Sequence, residues 1–240
     1  MACRGCLCCA GEDRLIQPTT KTVGVVLSGC GALDGTEIHE AFCSILALAK
    51  RGASIRYFAP QIQQCRLYNH YARTEETGNR DAFAESARFA RGEITPLSEA
   101  RADQLDAIML PGGFGAARTL SDFSSQLEEG TVLPDLGRLL DAMFEARKPV
   151  AAICVATSLV AIALRNRGVR LAKIAMGDNP RFFGALQRMG HSPVLATATQ
   201  VVFDSDHRLV TGPAFLAAGN LPDLEAGIDG VVEKLLEQVD

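Results

Sequence analysis

Tryptophan is absent from this 240-residue sequence, and aromatic residues make up only 6% of it. Surfaces that bind single-stranded nucleic acids stack bases on aromatic side chains, so the chain has little material for one. It also lacks any run of Lys or Arg, and its formal net charge is −4. These absences argue against nucleic acid as a partner.

Long apolar runs are missing as well. Charged residues or glycines interrupt each apolar stretch before it reaches the roughly 18 residues that span a membrane. The first residues also lack the apolar core of a secretory signal and contain few Arg for a transit peptide, although Arg4 and Arg14 leave an organellar route open. We therefore expect no membrane span and a cytoplasmic protein, with a mitochondrial location as the alternative.

The eight cysteines show no paired disulfide spacing, which favours a reducing compartment. Four of them crowd into the first nine residues: Cys3, Cys6, Cys8 and Cys9. This cluster lacks a second ligand pair for zinc, so we predict no metal and interpret residues 1–20 as a flexible tail. Zinc binding and S-palmitoylation of the cluster remain alternatives.

Residues 21–240 are predicted to form a single α/β domain. Strand patterns at 22–28, 54–59, 106–110 and 150–154 alternate with helical patterns, the first at 37–51, and this order favours a parallel sheet covered on both faces. The runs 200–203 and 208–211 flank a polar turn and predict a hairpin. Leu224 to Val239 shows the periodicity of an amphipathic closing helix.

Cys154 is the most informative residue in the chain. It ends the apolar strand pattern Val150 to Ile153 and leads without a loop into an Ala-rich helical stretch. This arrangement is typical of a nucleophile elbow. A helix N-terminus at this point would lower the pKa of the thiol. The alternative is that Cys154 fills the core, because cysteine is among the most buried residue types.

Two other strand ends carry matching chemistry. The strand pattern 106–110 ends in Pro-Gly-Gly, and the amides of Gly112, Gly113 and Val155 are candidates for an oxyanion hole. The first strand pattern ends in glycines around Cys30 and is followed by acidic residues. Since ligands bind beyond the carboxyl ends of parallel strands, we predict that these ends form one site.

The order of several motifs resembles the ElbB glyoxalase-like branch of a superfamily that contains parkinsonism-associated deglycases, PfpI proteases and class I glutamine amidotransferases. The motifs are Ser28-Gly29-Cys30-Gly31, Asp34 to Ala41, Phe58-Ala59-Pro60, Asn69-His70, Arg91 to Ile94, Pro111 to Ala117 and Thr211-Gly212-Pro213-Ala214. The resemblance implies a flavodoxin-like three-layer sandwich, a cofactor-free site and a homo-oligomer. It also implies a reactive cysteine paired with a glutamate of the first helix, which by motif position is Glu40.

A carboxylate beside a thiolate is costly, so Glu40 and Cys154 are expected to share one proton. The alternative is that Glu37 and Glu40 occupy a solvated first helical turn. Cys30, Glu37 and His70 are further candidates for the pocket. His39 adjoins the turn that carries Glu40, and a structural role remains open for both histidines.

The chain departs from the wider superfamily at Val155, where protease-like members have His directly after the nucleophile. His191 and His207 lie downstream of Cys154 but lack the context of the glutaminase histidine. We therefore predict a glyoxalase-like enzyme that converts small 2-oxoaldehydes to hydroxy acids through Cys154 and Glu40. The alternatives are a redox sensor with an oxidisable Cys154, and a protein-handling or interaction domain.

Overall fold

A computed structural model of the protein describes residues 21–239. The predictions made for Cys3, Cys6, Cys8 and Cys9, and for the tail as a whole, lie outside the described residues. The limits of the domain therefore stay a prediction.

Strands and helices alternate along the described chain. The strands are β1 Thr22–Val26, β2 Ser54–Ala59, β3 Leu67–Asn69, β4 Thr74–Glu76, β5 Ile94–Pro96, β6 Ala107–Leu110, β7 Val150–Ile153, β8 Lys173–Met176, β9 Ser192–Leu195, β10 Val202–Asp204 and β11 Leu209–Gly212. The α-helices are α1 Ile38–Lys50, α2 Ala82–Ser86, α3 Phe114–Arg118, α4 Phe123–Gln126, α5 Pro134–Glu145, α6 Thr157–Asn166, α7 Pro180–Arg188 and α8 Leu221–Glu237. Short 3-10 turns include Cys154–Ala156 and Ala214–Leu216.

Seven strands form the central sheet in the order β10-β11-β7-β6-β1-β2-β5. Every neighbouring pair is parallel except β10 and β11. Helices α1 and α8 pack against each other and against the sheet, while α5 packs against α6, which also contacts β7. The flavodoxin-like α/β architecture expected from the sequence is thus confirmed.

The middle of the sheet is apolar throughout. All residues of β6 and β7 are buried, and so is α6 from Thr157 to Leu164. Burial on both faces explains why these strands are continuous apolar runs without polar alternation. A rigid core of this kind fixes the positions of the loops at the carboxyl ends of β1, β6 and β7.

Several predicted boundaries differ from the observed ones. Strand β1 ends at Val26, two residues before the predicted end, because the following glycine-rich segment leaves the sheet. The predicted hairpin is confirmed, with β10 antiparallel to β11. The edge strand β5 of the central sheet and the two-stranded sheets β3-β4 and β8-β9 were not predicted. Among residues 21–239, no helix combines the length and the apolar character needed to cross a membrane.

Candidate active site

The backbone turns sharply at Cys154. This residue follows β7 directly, has a φ of 54°, and begins the 3-10 turn that leads into α6. Residues other than glycine rarely adopt this left-handed backbone conformation, and such backbone strain is concentrated at functional sites. The Thr157 hydroxyl donates to the Cys154 carbonyl at 2.8 Å and closes the turn. Cys154 therefore lies at a strand-to-helix elbow, as the sequence pattern indicated.

Helix α1 begins with two acidic residues that play different structural parts. Glu37 is the N-cap, and its Oε2 accepts a hydrogen bond from the backbone N–H of Glu40 at 2.7 Å. The other oxygen of Glu37 lies 2.9 Å from Nδ1 of His39. Glu40, one turn into the helix, is completely buried, and Glu37 is only 8% exposed. The alternative of a solvated first turn is therefore wrong.

The carboxylate of Glu40 faces the thiol of Cys154. Its Oε1 accepts a hydrogen bond from the backbone N–H of Phe215 at 3.2 Å. Its Oε2 has no hydrogen bond of standard geometry. This oxygen lies close to Gly112, and both the Gly112 amide and the Cys154 thiol interact with the carboxylate. Burying a hydrogen-bond acceptor without a well-formed partner costs free energy, so the position of this oxygen needs a functional or structural explanation.

Gly112 provides the space in which the thiol and the carboxylate meet. A Cβ atom at this position would overlap Glu40 Oε2, and it would lie 2.5 Å from Cβ and 3.1 Å from Sγ of Cys154. The backbone approaches both groups this closely only because residue 112 has no side chain.

The three amides that the sequence nominated for an oxyanion hole do not act alike. The N–H groups of Gly113 and Val155 interact with the Cys154 sulfur, where an oxyanion formed on a bound carbonyl would need donors. The N–H of Gly112 is directed at Glu40 instead. Gly113 and Val155 are thus the pair suitable for an oxyanion hole, while Gly112 supports the carboxylate.

Burial controls the protonation of the pair. It raises the pKa of Glu40 from 4.5 to about 7, although the hydrogen bond to Cys154 works in the opposite direction. It also raises the pKa of the Cys154 thiol well above its usual value, and the neighbouring charge of Glu40 adds to this effect. The expected lowering of the thiol pKa is therefore wrong, because desolvation and the carboxylate outweigh the two backbone N–H groups.

A cavity of about 340 Å³ opens beside the thiol. Besides Cys154, Glu40, Gly113 and Val155, its lining consists of Ala32, Leu33, Glu37, His39, Phe114, Phe182, Phe215 and Leu216. Volumes of this size are typical of small-molecule sites. The elbow, the first turn of α1 and the turn 214–216 thus meet at one pocket.

Two candidate residues lie outside this pocket. Cys30 is half-buried, and its backbone forms an isolated β-bridge with Thr36. The strongest charge near its thiol is that of Glu85. His70 accepts a hydrogen bond from the Leu33 backbone N–H at 3.3 Å, and its ring packs edge-on against Tyr68. Neither side chain is among those that line the cavity. Their predicted place in the pocket is therefore wrong.

The remaining histidines differ in position. His39 lines the cavity, and its ring lies edge-on to that of Phe215 at 5.9 Å. His191 is buried and contacts the Ala161 carbonyl at 2.9 Å, and burial lowers its pKa. His207 pairs with Asp204 at 2.9 Å. Since neither His191 nor His207 lines the pocket, the site lacks the histidine of the glutaminase arrangement.

The apolar wall of the cavity was missed by sequence reasoning. Phe182 is buried against Phe123 and lines the cavity. Phe215 follows directly after the Thr211-Gly212-Pro213-Ala214 motif, which was the available signal. Among residues 21–239, no cluster of three or more His, Cys, Asp or Glu side chains is arranged to hold a metal ion.

Comparison with known proteins finds related sequences over most of the chain. The ES1 protein homolog, mitochondrial, of Rattus norvegicus is 36% identical over 220 residues, which is 90% of this chain and 83% of the relative. The glutamine amidotransferase-like class 1 domain-containing protein 3, mitochondrial, of Homo sapiens is also 36% identical over 220 residues, covering 90% and 82%. No protein-family model matches the chain.

Solved structures share the fold. An Ehrlichia chaffeensis isoprenoid biosynthesis protein with an amidotransferase-like domain superposes with a TM-score of 0.84 at 26% identity, covering 92% of this chain and all of the other. A ThiJ/PfpI domain protein from Brachyspira murdochii gives a TM-score of 0.58 at 15% identity, covering 92% and 99%. The superfamily suggested by the motifs is therefore confirmed.

Proposed function

The chain belongs to the ES1 family of glutamine amidotransferase-like class 1 domain proteins, and from this premise we propose that it is a cofactor-free glyoxalase-like enzyme. The substrates are small 2-oxoaldehydes such as glyoxal and methylglyoxal, and the products are 2-hydroxy acids. Cys154 is the nucleophile and Glu40 the proton carrier. The narrower resemblance to the ElbB branch remains part of this proposal.

One observation carries the proposal: a thiol on a strained elbow faces a completely buried carboxyl group at the wall of a cavity. Burial raises the pKa of Glu40 to about 7, so this group both accepts and releases a proton near neutral pH. A group with these properties suits a reaction that moves a proton between two carbon atoms. A purely structural carboxyl group gains nothing from this position, because burying it is costly.

In the first step, the sulfur of Cys154 bonds to the aldehyde carbon, and the π bond of the aldehyde breaks. Glu40 takes the thiol proton as the sulfur attacks, so no preformed thiolate is needed. The N–H groups of Gly113 and Val155 stabilise the alkoxide that forms. Glu40 then returns the proton to this oxygen, and the product is a hemithioacetal.

In the second step, Glu40 removes the hydrogen of the former aldehyde carbon as a proton and delivers it to the neighbouring carbon. The intermediate is an enediol, and the hydroxyl proton of the first carbon moves to the oxygen of the second. The first carbon is oxidised to a thioester while the second is reduced to an alcohol, so no external oxidant is required. Water then breaks the carbon–sulfur bond, which releases the hydroxy acid and restores the thiol.

The test is formation of glycolate from glyoxal and lactate from methylglyoxal, without glutathione or added metal. We expect turnover by the wild type and loss of at least about a thousandfold in kcat/KM for Cys154→Ser and Glu40→Gln. Glu75→Gln, which changes an exposed carboxyl group, is the matched control. An inactive wild type, or a Cys154→Ser protein with normal turnover, would refute the proposal.

The alternative of a redox sensor has less support. Sensor cysteines combine a low pKa with exposure to solvent. Burial instead raises the pKa of the Cys154 thiol, and the residue is only 8% exposed. An interaction domain would not need the buried Glu40 opposite the thiol.

Two further proposals concern location and assembly. The two relatives carry the word mitochondrial in their names, so we propose a mitochondrial location in place of the cytoplasmic one. Homo-oligomer formation stays a prediction. Ile38 and Phe42 lie one turn apart on α1 and are 47% and 59% exposed, which offers an apolar surface for a second copy.

A further inference from the structure

The cavity beside Cys154 is much larger than the proposed reaction requires. Glyoxal occupies roughly the volume of two water molecules, about 60 Å³. The cavity measures about 340 Å³. More than three quarters of it would stay empty of substrate around a bound glyoxal molecule, and that space is large enough for a part of the substrate that does not react.

The wall that faces this space is apolar. Leu33, Phe114, Phe182, Phe215 and Leu216 contribute to it. They come from four separate segments of the chain, so the apolar character is not the by-product of one amphipathic helix. Burial of an apolar substituent against such a wall is favourable.

The charged side chains that line the cavity are acidic, apart from one histidine. Its polar side chains are Glu37, His39 and Glu40, and no Lys or Arg is among the lining residues. Glu37 is already paired with His39. A substrate carboxylate or phosphate would therefore enter beside two acidic groups. The cation behind this wall is Arg118, whose guanidinium donates to the Leu33 carbonyl at 2.9 Å and lies over the Phe114 ring.

Phe215 links the apolar wall to the reacting groups. Its backbone N–H holds Glu40, while its ring forms part of the wall and lies edge-on to His39. A substituent packed against this ring is thus placed next to the carboxyl group that moves the proton.

We propose that the preferred substrate is a neutral 2-oxoaldehyde whose ketone carbon carries an apolar or aromatic group, and that Leu33, Phe182 and Phe215 select it. This inference rests on the proposed function for its chemistry, whereas the selectivity of the cavity is a separate property. Glyoxal and anionic oxoaldehydes are poor substrates in comparison.

The first experiment measures kcat/KM of the wild type for glyoxal, methylglyoxal, phenylglyoxal and 4-carboxyphenylglyoxal. Each value is divided by the rate at which the same aldehyde adds to a free thiol, because the four differ in intrinsic reactivity. We expect this corrected kcat/KM to be about tenfold or more higher for phenylglyoxal than for glyoxal or 4-carboxyphenylglyoxal, with the value for methylglyoxal in between. A value for glyoxal equal to or above that for phenylglyoxal would overturn the proposal. Cys154→Ser serves as the blank, since phenylglyoxal also modifies arginines.

A change of charge in the cavity wall provides a second test. Leu33→Arg places a cation in the lining, and the hydrogen bonds recorded for residue 33 involve only its backbone. We expect this variant to favour 4-carboxyphenylglyoxal over phenylglyoxal. The matched control is Leu171→Arg at a leucine that is 73% exposed and outside the cavity, and it should keep the wild-type preference.

A binding measurement separates this inference from the proposed function. The probes are 2-hydroxyacetophenone and hydroxyacetone, two ketones without an aldehyde, titrated into the wild-type protein by calorimetry. If no aldehyde is consumed but the aromatic ketone binds about tenfold more tightly, the enzyme proposal fails and the selectivity of the cavity stands. Equal binding of the two ketones would overturn the inference, whatever the turnover.

Discussion

Cys30 and Cys154 occupy comparable places in the fold but very different surroundings. Each follows a central strand of the sheet, β1 or β7, at the carboxyl edge where ligands bind in such folds. Cys154 has a left-handed backbone and faces Glu40 at the cavity. Cys30 lies in a longer glycine-rich segment, half-buried and outside the cavity.

A cysteine at a strand end therefore does not by itself make a site. Cys154 turns at once into a helix, which holds its sulfur in place, and the helix α1 supplies a buried carboxyl group opposite. The side chain of Cys30 has charges of both signs around it, from Glu85, Arg88, Asp34 and Arg80. The thiol of Cys30 thus lacks both features of the site at Cys154, the enclosed carboxyl partner and the cavity.

Removing the space between Cys154 and Glu40 should abolish most of what distinguishes Cys154 from Cys30. Gly112→Ala adds a Cβ that overlaps Glu40 Oε2 and crowds the sulfur, so the two groups must move apart. Displacements of about 1 Å cost roughly a hundredfold in rate, and we expect a loss of that order in kcat/KM for methylglyoxal.

Gly219→Ala is the control for this substitution, because a Cβ there meets nothing within 4 Å. It should keep wild-type activity and thermal stability. Wild-type turnover by a folded Gly112→Ala protein would show that the close approach of thiol and carboxyl group is unimportant.

A second prediction concerns stability. Burial raises the pKa of Glu40 from 4.5 to about 7, so the folded protein binds this proton more tightly than the unfolded chain. The resulting stabilisation is complete below pH 4.5 and is lost as the pH rises through 7. Between pH 5 and pH 7 the wild type should lose about 2 kcal/mol of unfolding free energy that Glu40→Gln does not lose.

Urea unfolding at both pH values measures this difference. Glu75→Gln, at an exposed carboxyl group, should follow the wild type. Parallel pH profiles of the wild type and Glu40→Gln would mean that the carboxyl group is not desolvated in the folded protein.

The smallest effect is expected at Cys30 itself. Cys30→Ser changes a thiol outside the cavity, so kcat/KM for methylglyoxal should stay within about twofold of the wild type. Cys65→Ser, at an exposed thiol, is the control. A loss of tenfold or more in kcat/KM with Cys30→Ser alone would show that Cys30 takes part in the same site as Cys154.

Local sequence patterns were sufficient for six of the seven strands of the central sheet and for the elbow. The run from Val150 to Cys154 has the form of a buried strand followed at once by a helix, and Gly112 and Gly113 follow a second buried strand. These features depend on neighbouring residues, so a pattern detects them. The pairing with Glu40 was implied by the resemblance, and the structure places this residue opposite the sulfur.

Long-range packing determines what the sequence did not reveal. The direction of the thiol pKa depends on how completely the site is enclosed, which no local pattern encodes. Cys30 and His70 were nominated from motifs near the site, and neither lines the cavity, because a motif does not fix which way its side chains point. The apolar wall joins residues from distant segments, and the motif before Phe215 was the one local signal of it.

The hydrogen bond from the Phe215 amide to Glu40 spans 175 positions of the sequence. A chain that emerges from the ribosome therefore carries Cys154 for some time before the segment that encloses its partner exists. In that interval the Phe215 amide is not yet there to bind Glu40. The enclosure of this carboxyl group is consequently one of the last features that the protein acquires during its synthesis.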